Sequence, residues 1–374
     1  MAVTYFPSNS PLAVKRWSKT LFEEVLQAVV WYRFMGMDKS SVIYVVDDLE
    51  KDRGDQVTYG LRRQLQNDPQ VGNGTLAGKE EALVFYNDSL IIDRVRHGVL
   101  VENEDMTEQR VPYEVRAEGK EGLQEYFTNL LDTWFFNQLC GYTPQTLTGW
   151  TGINSPIAPD TNHHIFAGGN TADEQITTAG ANNANLTNLT LIDNCVLKAE
   201  TMTLKAGTGA PLRPAKINGK SLYVMFVHPQ QAEDIRTNTN TGQWLDIAKA
   251  LIQGGHENLF AADVLGLYHN TLLVKDFRVT NGVVSTSSTT PVDTVRRAAF
   301  CGSQAICFAT GRKKGTKGAK DAPPIYWRED MRDYENQIGI AANMIAGMKK
   351  TQFSATGQPS FDYGVITVST YSAT

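Results

Sequence analysis

A strand pattern that turns back on itself between Gly54 and Val101 constrains the fold more than any other part of the sequence. From Asp55 onward, apolar residues alternate with polar ones at a period of two, which is typical of a strand with one buried face. The segment NDPQVGNG, Asn67 to Gly74, is rich in turn-forming residues, and strand-forming residues return from Thr75. The sequence therefore predicts a long β-hairpin over residues 54–101.

This predicted hairpin carries more apolar surface than an isolated two-stranded ribbon tolerates in water. Its apolar residues are Val57, Tyr59, Leu61, Leu83, Phe85, Leu90, Ile91, Ile92 and Val95. Two coverings are open: the rest of the same chain, or a neighbouring copy of the chain. In the second case, charged residues on the hairpin would select the partner and fix the register of the contact.

Charged side chains on the hairpin and in one later loop are candidates for contacts between subunits. The later segment, Gly311 to Lys320, has five basic residues and no acidic one, and its three glycines predict a flexible loop. Such a loop either contacts phosphate or an acidic surface, or is simply solvated. The candidate contact residues are Tyr59, Leu61, Arg62, Arg63, Glu80, Glu81, Phe85, Asp93, Arg94, Arg96, Arg312, Lys313 and Lys314.

Apolar residues that recur at steps of three and four predict helices. The strongest pattern runs from Glu118 to Cys140, with Leu123, Phe127 and Trp134 on its apolar side, and Gly141 supplies a stop signal. Further helices are predicted at Trp17–Phe34, at Asn188–Met202, from Pro229, and near Trp244–Ile252.

Strands come from both halves of the chain, which predicts an α+β fold. After the hairpin, they are predicted at Leu222–Val227 and within Asn270–Val279, Ile338–Lys350 and Phe361–Tyr371. Between Thr143 and Thr187 charge almost vanishes, and Thr, Asn, Gly, Ala and Pro dominate. This composition predicts a surface excursion or small insertion rather than core elements.

Length and composition exclude several classes of protein. A chain of 374 residues exceeds what one hydrophobic core usually holds, so two or three packed units are expected. With 41% hydrophobic and 20% charged residues, the chain is typical of soluble globular proteins. The net charge of −5 argues against tight, sequence-independent DNA binding by the whole chain. Glu23, Glu24, Gln27 and Arg33 interrupt the apolar stretch Leu21–Met37, which excludes a plain membrane span.

The four cysteines, Cys140, Cys195, Cys301 and Cys307, lack paired spacing. This pattern indicates synthesis in a reducing cytoplasm and small buried thiols rather than a disulfide framework or a zinc site.

No catalytic, cofactor or metal site is predicted. Glu80 and Glu81 are neighbours in a strand and point to opposite faces, so they cannot flank one scissile bond. Asp93 and His97 share a face, but about 13 Å of strand separates them, which is too far for a base and its orienting carboxylate. The adjacent His163 and His164 lack the spacing of structural zinc sites. A soluble hydrolase using histidine and acidic residues is an alternative from another class.

Six segments occur in the order and rough spacing of tailed-bacteriophage major capsid proteins. The chain resembles this family over most of its length from about Gly54, and specifically the subfamily of podophages with N-four-like shells. The segments are GDQVTYGLRRQL, LAGKEEALVFYNDSLIIDRVRHGV, LLDTWFFNQLCG, YVMFVHPQQAEDIR, CGSQAICFATG and FDYGVITVST.

The resemblance implies the capsid fold of the HK-ninety-seven type. Such a fold has an N-terminal arm, an extended loop, a peripheral domain with a long spine helix, and an axial domain. In this sequence the resemblance places the arm at residues 1–53, the loop hairpin at 54–110, the peripheral domain at 111–214 and the axial domain at 215–290. Residues 291–374 would return as strands that complete the peripheral domain.

The resemblance also implies a structural function without enzymatic activity or a cofactor. Copies of the chain would form hexamers and pentamers of an icosahedral phage head around double-stranded DNA, assembled in the host cytoplasm and kept in the virion. Implied partners are portal and scaffolding proteins, a decoration or cement protein, and packaged DNA through non-specific contacts, with no membrane. An encapsulin-like nanocompartment shell of the same fold is the alternative reading.

Overall fold

A computed structural model of the chain shows a mixed helix and sheet architecture, as predicted. The residues it describes are 24–25, 28–46, 54–62, 65, 67–102, 109–110, 115–202, 211–217, 219–237, 264–311, 325–333, 336–355 and 358–372.

The α-helices with both ends among these residues are α1 (Val115–Leu139), α2 (Thr148–Thr151), α3 (Leu189–Thr201) and α4 (Pro229–Thr237). Short 3-10 helices lie at Val30–Phe34, Thr161–His163, Ala167–Gly169, Asp173–Gln175 and Ala181–Asn183. The strands are β1 (Met35–Gly36), β2 (Ile43–Val46), β3 (Gln56–Arg62), β4 (Phe85–Ile91), β5 (Asp93–Glu102), β6 (His164–Phe166), β7 (Ala215–Ile217), β8 (Lys220–Val227), β9 (Val264–Tyr268), β10 (Thr271–Lys275), β11 (Asn281–Val283), β12 (Pro291–Cys301), β13 (Ile306–Thr310), β14 (Ile325–Arg332), β15 (Gln337–Lys350), β16 (Gln352–Ala355), β17 (Gln358–Asp362) and β18 (Val365–Tyr371).

The long helix α1 confirms the prediction for residues 118–140. Leu123, Phe127 and Trp134 are buried on one side of it, as the steps of three and four require. The helix ends before Gly141, whose φ of +63° suits glycine. The helix predicted at 188–202 is also confirmed, as α3. The Asn188 side chain caps α3 by accepting a hydrogen bond from the backbone N–H of Leu191.

Three sheets organise the described residues. A six-stranded sheet has the order β1-β2-β13-β15-β14, with β5 also paired to β15, and it packs against α1. An eight-stranded sheet has the order β6-β18-β12-β8-β10-β9, with β11 on β12 and β7 on β8, and it shares a core with α3 and α4. A smaller sheet joins the hairpin strands to the end of the chain in the order β17-β16-β4-β3.

The predicted hairpin is shorter than expected. Strands β3 and β4 pair in antiparallel register from Gln56 opposite Ile91 to Arg62 opposite Phe85. The segment 75–84 before β4 is irregular, and β5 leaves the hairpin to pair with β15 over its whole length. The prediction of one continuous strand to Val101 was therefore wrong, because β4 and β5 share the same period of two and no residue between them marks the change of sheet.

The helix predicted at Trp17–Phe34 is confirmed only in part. Residues 1–23 lie outside the described residues, and Glu24, Val25 and Ala28 are helical. Val29 is extended (φ −75°, ψ 134°), and the next five residues form a 3-10 helix that buries Trp31 and Phe34 in the main core. Strand β2 then pairs with β13, so the described end of the predicted arm belongs to the body of the protein. The helix predicted near 244–252 lies outside the described residues.

The excursion at 143–187 packs more closely than predicted. Its strand β6 pairs with β18, and His163, Ile176 and Thr187 are fully buried. The prediction that it contributes no core elements was therefore wrong, because threonine, asparagine and histidine side chains are buried here through hydrogen bonds rather than through apolar patterning.

The segment 291–374 divides among three sheets, since its strands β16 and β17 belong to the small sheet of the hairpin. Strands β13, β14 and β15 join the sheet on α1, whereas β12 and β18 pair with each other and extend the sheet of β8. A boundary at residue 290 thus cuts through one continuous sheet, although the domain partition as a whole stays a prediction. All four cysteines are free and buried, as predicted. No described helix is both long and apolar enough to cross a membrane.

Candidate functional site

One face of the hairpin β3–β4 is covered by the same chain. The side chains of Tyr59 and Leu61 are half-buried, and Tyr86, which lies opposite Leu61, is 2% exposed. They pack against Phe353 and Phe361 from the strands β16 and β17. Two of the candidate contact residues, Tyr59 and Leu61, therefore already have an apolar environment within one chain.

The other face and the far end of the hairpin keep large apolar side chains in solvent. Phe85 is 63% exposed and Leu83 is 53% exposed. The remaining exposed apolar side chains of this region are Leu65, Val71, Leu76 and Ile91. The chain itself therefore buries the inner face of the hairpin. The outer set stays exposed among the described residues, so a neighbouring copy could still cover it.

The two glutamates of the hairpin hold its end in shape. Glu81 accepts a hydrogen bond from the backbone N–H of Asn67 across the hairpin (2.8 Å), and Glu80 accepts one from the N–H of Gly78 (2.6 Å). Each contact uses one carboxylate oxygen. The Glu80 side chain is exposed, so its negative charge lies at the surface, where it can act on a partner.

The charged candidates on β5 lie on a different sheet from the hairpin. Arg94 and Arg96 are exposed, and one guanidinium nitrogen of Arg94 donates to the Asn343 side chain at 3.0 Å. Asp93 accepts from the backbone N–H of Arg94. Arg62 is exposed at the end of β3. The candidates Arg63, Arg312, Lys313 and Lys314 lie outside the described residues.

A buried carboxylate, that of Asp88, links strand β4 of the hairpin to strands β15 and β16. Asp88 on β4 accepts hydrogen bonds from the Tyr59 hydroxyl (2.6 Å) and from the backbone N–H of Gln352 (3.1 Å). The ammonium of Lys349 also donates to Asp88, and to the carbonyl of Ser89 at 2.9 Å. Burial raises the pKa of Tyr59, so its hydroxyl stays protonated and remains a donor.

This network of Asp88, Tyr59 and Lys349 was not predicted from the sequence. Asp88 occupies an inward position between Tyr86 and Leu90 in the alternating pattern of β4. A polar residue at an inward position signals that a buried partner is needed, and that signal was available from the sequence. The identity of the partner was not, because Lys349 comes from a distant part of the chain.

A second cluster lies beside the excursion, at a cavity of about 600 Å³. At its base, Arg297 donates to Asp173 Oδ2 from Nε (2.8 Å) and from a terminal nitrogen (2.7 Å). His164 Nε2 lies 2.7 Å from Ser369 Oγ and 3.8 Å from Asp173 Oδ1. Burial, with nearby Arg297, holds the pKa of His164 well below its usual range, so the ring is neutral.

This cluster does not have the geometry of a hydrolytic triad. In a triad the carboxylate and the nucleophile contact different ring nitrogens, whereas Asp173 and Ser369 both approach Nε2 of His164. His163 is buried against Asp160, with 3.2 Å between its Nδ1 and the carboxylate. The described part of the chain contains no group of three side chains suited to hold a metal ion. The cluster therefore supports packing rather than catalysis.

The architecture described above is that of phage capsid shells. The capsid of Ralstonia phage GP4 is 30% identical in sequence, with a TM-score of 0.70 over 100% of this chain and 99% of that one. The Cyanophage Pam1 capsid is 16% identical, with a TM-score of 0.63 over 100% and 97% of the two chains, a likeness that shows the fold alone. The predicted α+β fold of the HK-ninety-seven type is confirmed.

The chain belongs to the phage capsid protein family, whose family model matches residues 5–374. The major capsid protein of Pseudomonas phage KPP25 is 22% identical over 366 residues, which are 94% of this chain and 93% of that protein. The predicted resemblance to phage major capsid proteins is thus confirmed, and the role of the chain is structural. These relatives favour a viral shell over a nanocompartment. The N-four-like subfamily stays a prediction.

Proposed function

We propose that copies of this chain form the hexamers and pentamers of an icosahedral phage head around double-stranded DNA, and that the hairpin β3–β4 contacts a neighbouring copy. The observation that carries this proposal is the exposed set of apolar side chains on the hairpin, above all Phe85 and Leu83. Burying apolar surface contributes about 25 cal/mol per Å² before the cost of ordering the partners. Different patches meeting head to tail close into rings, as capsomers require.

Charges on and near the hairpin select the partner and the register of this contact. Glu80 and Glu81 give the end of the hairpin a negative charge, while Arg94 and Arg96 on β5 offer an exposed positive one. Opposite potentials steer association and penalise wrong pairings. On sequence grounds, Arg62, Arg63, Asp93, Arg312, Lys313 and Lys314 belong to the same set of contact residues.

The remaining partners follow from the role of a shell subunit. A closed head needs a portal at one vertex, scaffolding proteins during assembly and non-specific contacts with packaged DNA, and a decoration or cement protein is compatible with it. We propose assembly in the host cytoplasm and no enzymatic activity. The division into arm, loop, peripheral domain and axial domain is part of the same proposal, with β12 and β18 counted with the sheet of β8.

Removal of the hairpin tip tests the role of the hairpin. Deleting Asn67–Gly74 should leave a folded subunit that fails to form normal shells, as seen by electron microscopy and size exclusion. A point variant, Phe85→Ser, should likewise reduce shell yield. Phe277→Ser is the matched control, because Phe277 is 66% exposed but follows β10 of the eight-stranded sheet, which does not contain the hairpin strands. Normal icosahedral particles from both hairpin variants would refute the proposed contact.

A further inference from the structure

One asparagine side chain occupies the place where the hairpin ends and the chain changes sheets. The Nδ2 group of Asn154 donates to the carbonyl of Ile91 (2.8 Å), and its Oδ1 accepts from the N–H of Ile91 (3.2 Å). The same Nδ2 group donates to the carbonyl of Met348 on β15 (3.3 Å). The amide thus pairs with Ile91 as a neighbouring strand would, at the last residue of β4. Asn154 itself is only 8% exposed.

The long helix α1 holds the segment that carries this asparagine. Gln138 donates from Nε2 to the carbonyl of Asn154 (2.5 Å) and to that of Thr151 (3.2 Å). One turn before Gln138, Trp134 Nε1 donates to the carbonyl of Gly149 (2.9 Å). Asn137, which directly precedes Gln138, donates to the carbonyl of Trp150 (2.9 Å). Residues 134, 137 and 138 share one face of a helix, so three neighbouring side chains fix four carbonyls of one short segment.

Strand β15 also confines Ile91. A Cβ atom at Gly347 of β15 would lie 2.1 Å from the carbonyl oxygen of Ile91 and 3.2 Å from Cα of Ile92. The backbone of β15 therefore contacts the hairpin at Ile91, the last residue of β4 and the root of the hairpin. Asn154 holds Ile91 in place at that contact. The next amide, of Ile92, donates to the carbonyl of Asp55 and closes the hairpin (2.9 Å).

From this geometry we propose that Asn154 is a positioning residue for assembly: it transfers the position of the C-terminal end of α1 to the root of the hairpin, and so sets the direction in which the hairpin points. The inference rests on the proposed function, because the direction of the hairpin matters only if the hairpin contacts another copy. The residues that fix this direction, Asn154 and Gln138, are buried within the subunit rather than on the surface of the hairpin.

Hydrogen exchange on the unassembled full-length subunit tests the local part of this proposal without any shell. In Asn154→Ala, the amides of residues 85–92 should exchange about tenfold faster or more than in the wild type, because a buried peptide loses its partners. Asn170→Ala is the matched control. Asn170 also donates two hydrogen bonds within the excursion, to the Ala167 carbonyl (2.7 Å) and to Asn185 (3.0 Å), but it does not touch the hairpin.

A distant variant separates positioning from simple local packing. Gln138→Leu keeps the buried volume on α1 but removes both hydrogen bonds to the 151–154 segment. It should raise exchange in residues 85–92 as Asn154→Ala does, although the hydrogen bonds of the Gln138 side chain go to the 151–154 segment and not to the described residues of the hairpin. Both variants should then give particles of abnormal size or shape by electron microscopy, while Asn170→Ala gives normal ones.

The outcomes are distinguishable. Unchanged exchange at residues 85–92 in Asn154→Ala overturns the assignment of Asn154, whatever the particles look like. Faster exchange with normal particles also overturns it, because the direction of the hairpin then has no effect on the shell. If wild-type protein forms shells but loss of the hairpin tip does not disturb them, the proposed function of the hairpin fails first, while the exchange result on the lone subunit still stands.

Discussion

Lys350 and Asp362 form an ion pair of 2.8 Å between Nζ and Oδ2 that is fully enclosed by the protein, with 0% and 1% of the two side chains exposed. Asp362 also accepts from the backbone N–H of Asp160 (3.1 Å) and from Gln352 Nε2 (3.1 Å). Lys350 ends β15 on the sheet of α1, and Asp362 ends β17 on the sheet of the hairpin. The pair therefore joins these two sheets.

Removing one partner of this pair should be strongly destabilising. Asp362→Ala leaves the Lys350 ammonium buried without a counter-charge, and we expect the free energy of unfolding to fall by about 3–5 kcal/mol. Asp330→Ala is the control, since its pair with Arg332 is largely exposed and should contribute less than about 1 kcal/mol. Denaturant unfolding of the unassembled subunit measures both. Equal midpoints for the two variants would contradict the expectation.

The apolar face of α1 should carry much of the stability of the subunit. Phe127→Ala, like the truncation of Leu131 or Trp134, opens a cavity at a fully buried site and should cost about 2–5 kcal/mol. Glu125→Ala on the exposed side of the same helix should change stability by less than about 0.5 kcal/mol. Thermal unfolding of unassembled protein separates the two. A native melting temperature in Phe127→Ala would count against α1 as the centre of the core.

Two glycine-to-alanine changes should shift stability in opposite directions. Gly122 lies within α1, and a Cβ atom there meets nothing within 4 Å, so Gly122→Ala should stabilise the subunit by about 1 kcal/mol. At Gly347 the added Cβ would lie 2.1 Å from the Ile91 carbonyl oxygen, so Gly347→Ala should destabilise it by about 1–3 kcal/mol. Urea unfolding gives the sign of each change, and a shared sign would show that the contact at Gly347 relaxes freely.

Asp132 should make the stability of the subunit depend on pH. Burial raises the pKa of this carboxyl on α1 to about 7, with Arg278 opposing the shift and Asp276 adding to it. The folded state thus binds the proton more tightly than the unfolded state, whose pKa is near the ordinary 3.8. The stability from this group is fully present below pH 4 and is lost as the pH rises through 7.

A substitution isolates this contribution from other titrating groups. Asparagine resembles the neutral acid, so Asp132→Asn should gain stability relative to the wild type between pH 5 and pH 8. Asp330→Asn, at an exposed carboxylate, controls for the loss of one negative charge. Denaturant unfolding at both pH values is the measurement. A constant difference for Asp132→Asn would rule out a raised pKa at this site.

Local periodicity was enough to predict the elements that dominate the core. Leu123, Phe127 and Trp134 recur at helical steps because one face of α1 is buried. The continuous apolar run Leu222–Val227 predicts β8 because both faces of that strand are buried. The fold class followed from these elements together with the resemblance of several motifs to one family.

Long-range pairing could not be predicted in the same way. Nothing near Ile92 indicates that the chain changes sheets there, because the restraints come from Asn154 and Gly347, far away in the sequence. The cover over Tyr59 likewise comes from Phe353 and its neighbours near the other end of the chain. Alternation shows that a face needs burial, but it does not name the segment that buries it.

The burial of all four cysteines has a consequence for the lifetime of a particle. Burial raises the pKa of Cys140, Cys301 and Cys307, and that of Cys195 to about 12, so almost none of these thiols is ionised at neutral pH. The thiolate is the form of cysteine that reacts with oxidants and disulfides, so these thiols should react slowly with both. A shell built from this chain should therefore leave a reducing cell without forming disulfides at these four positions.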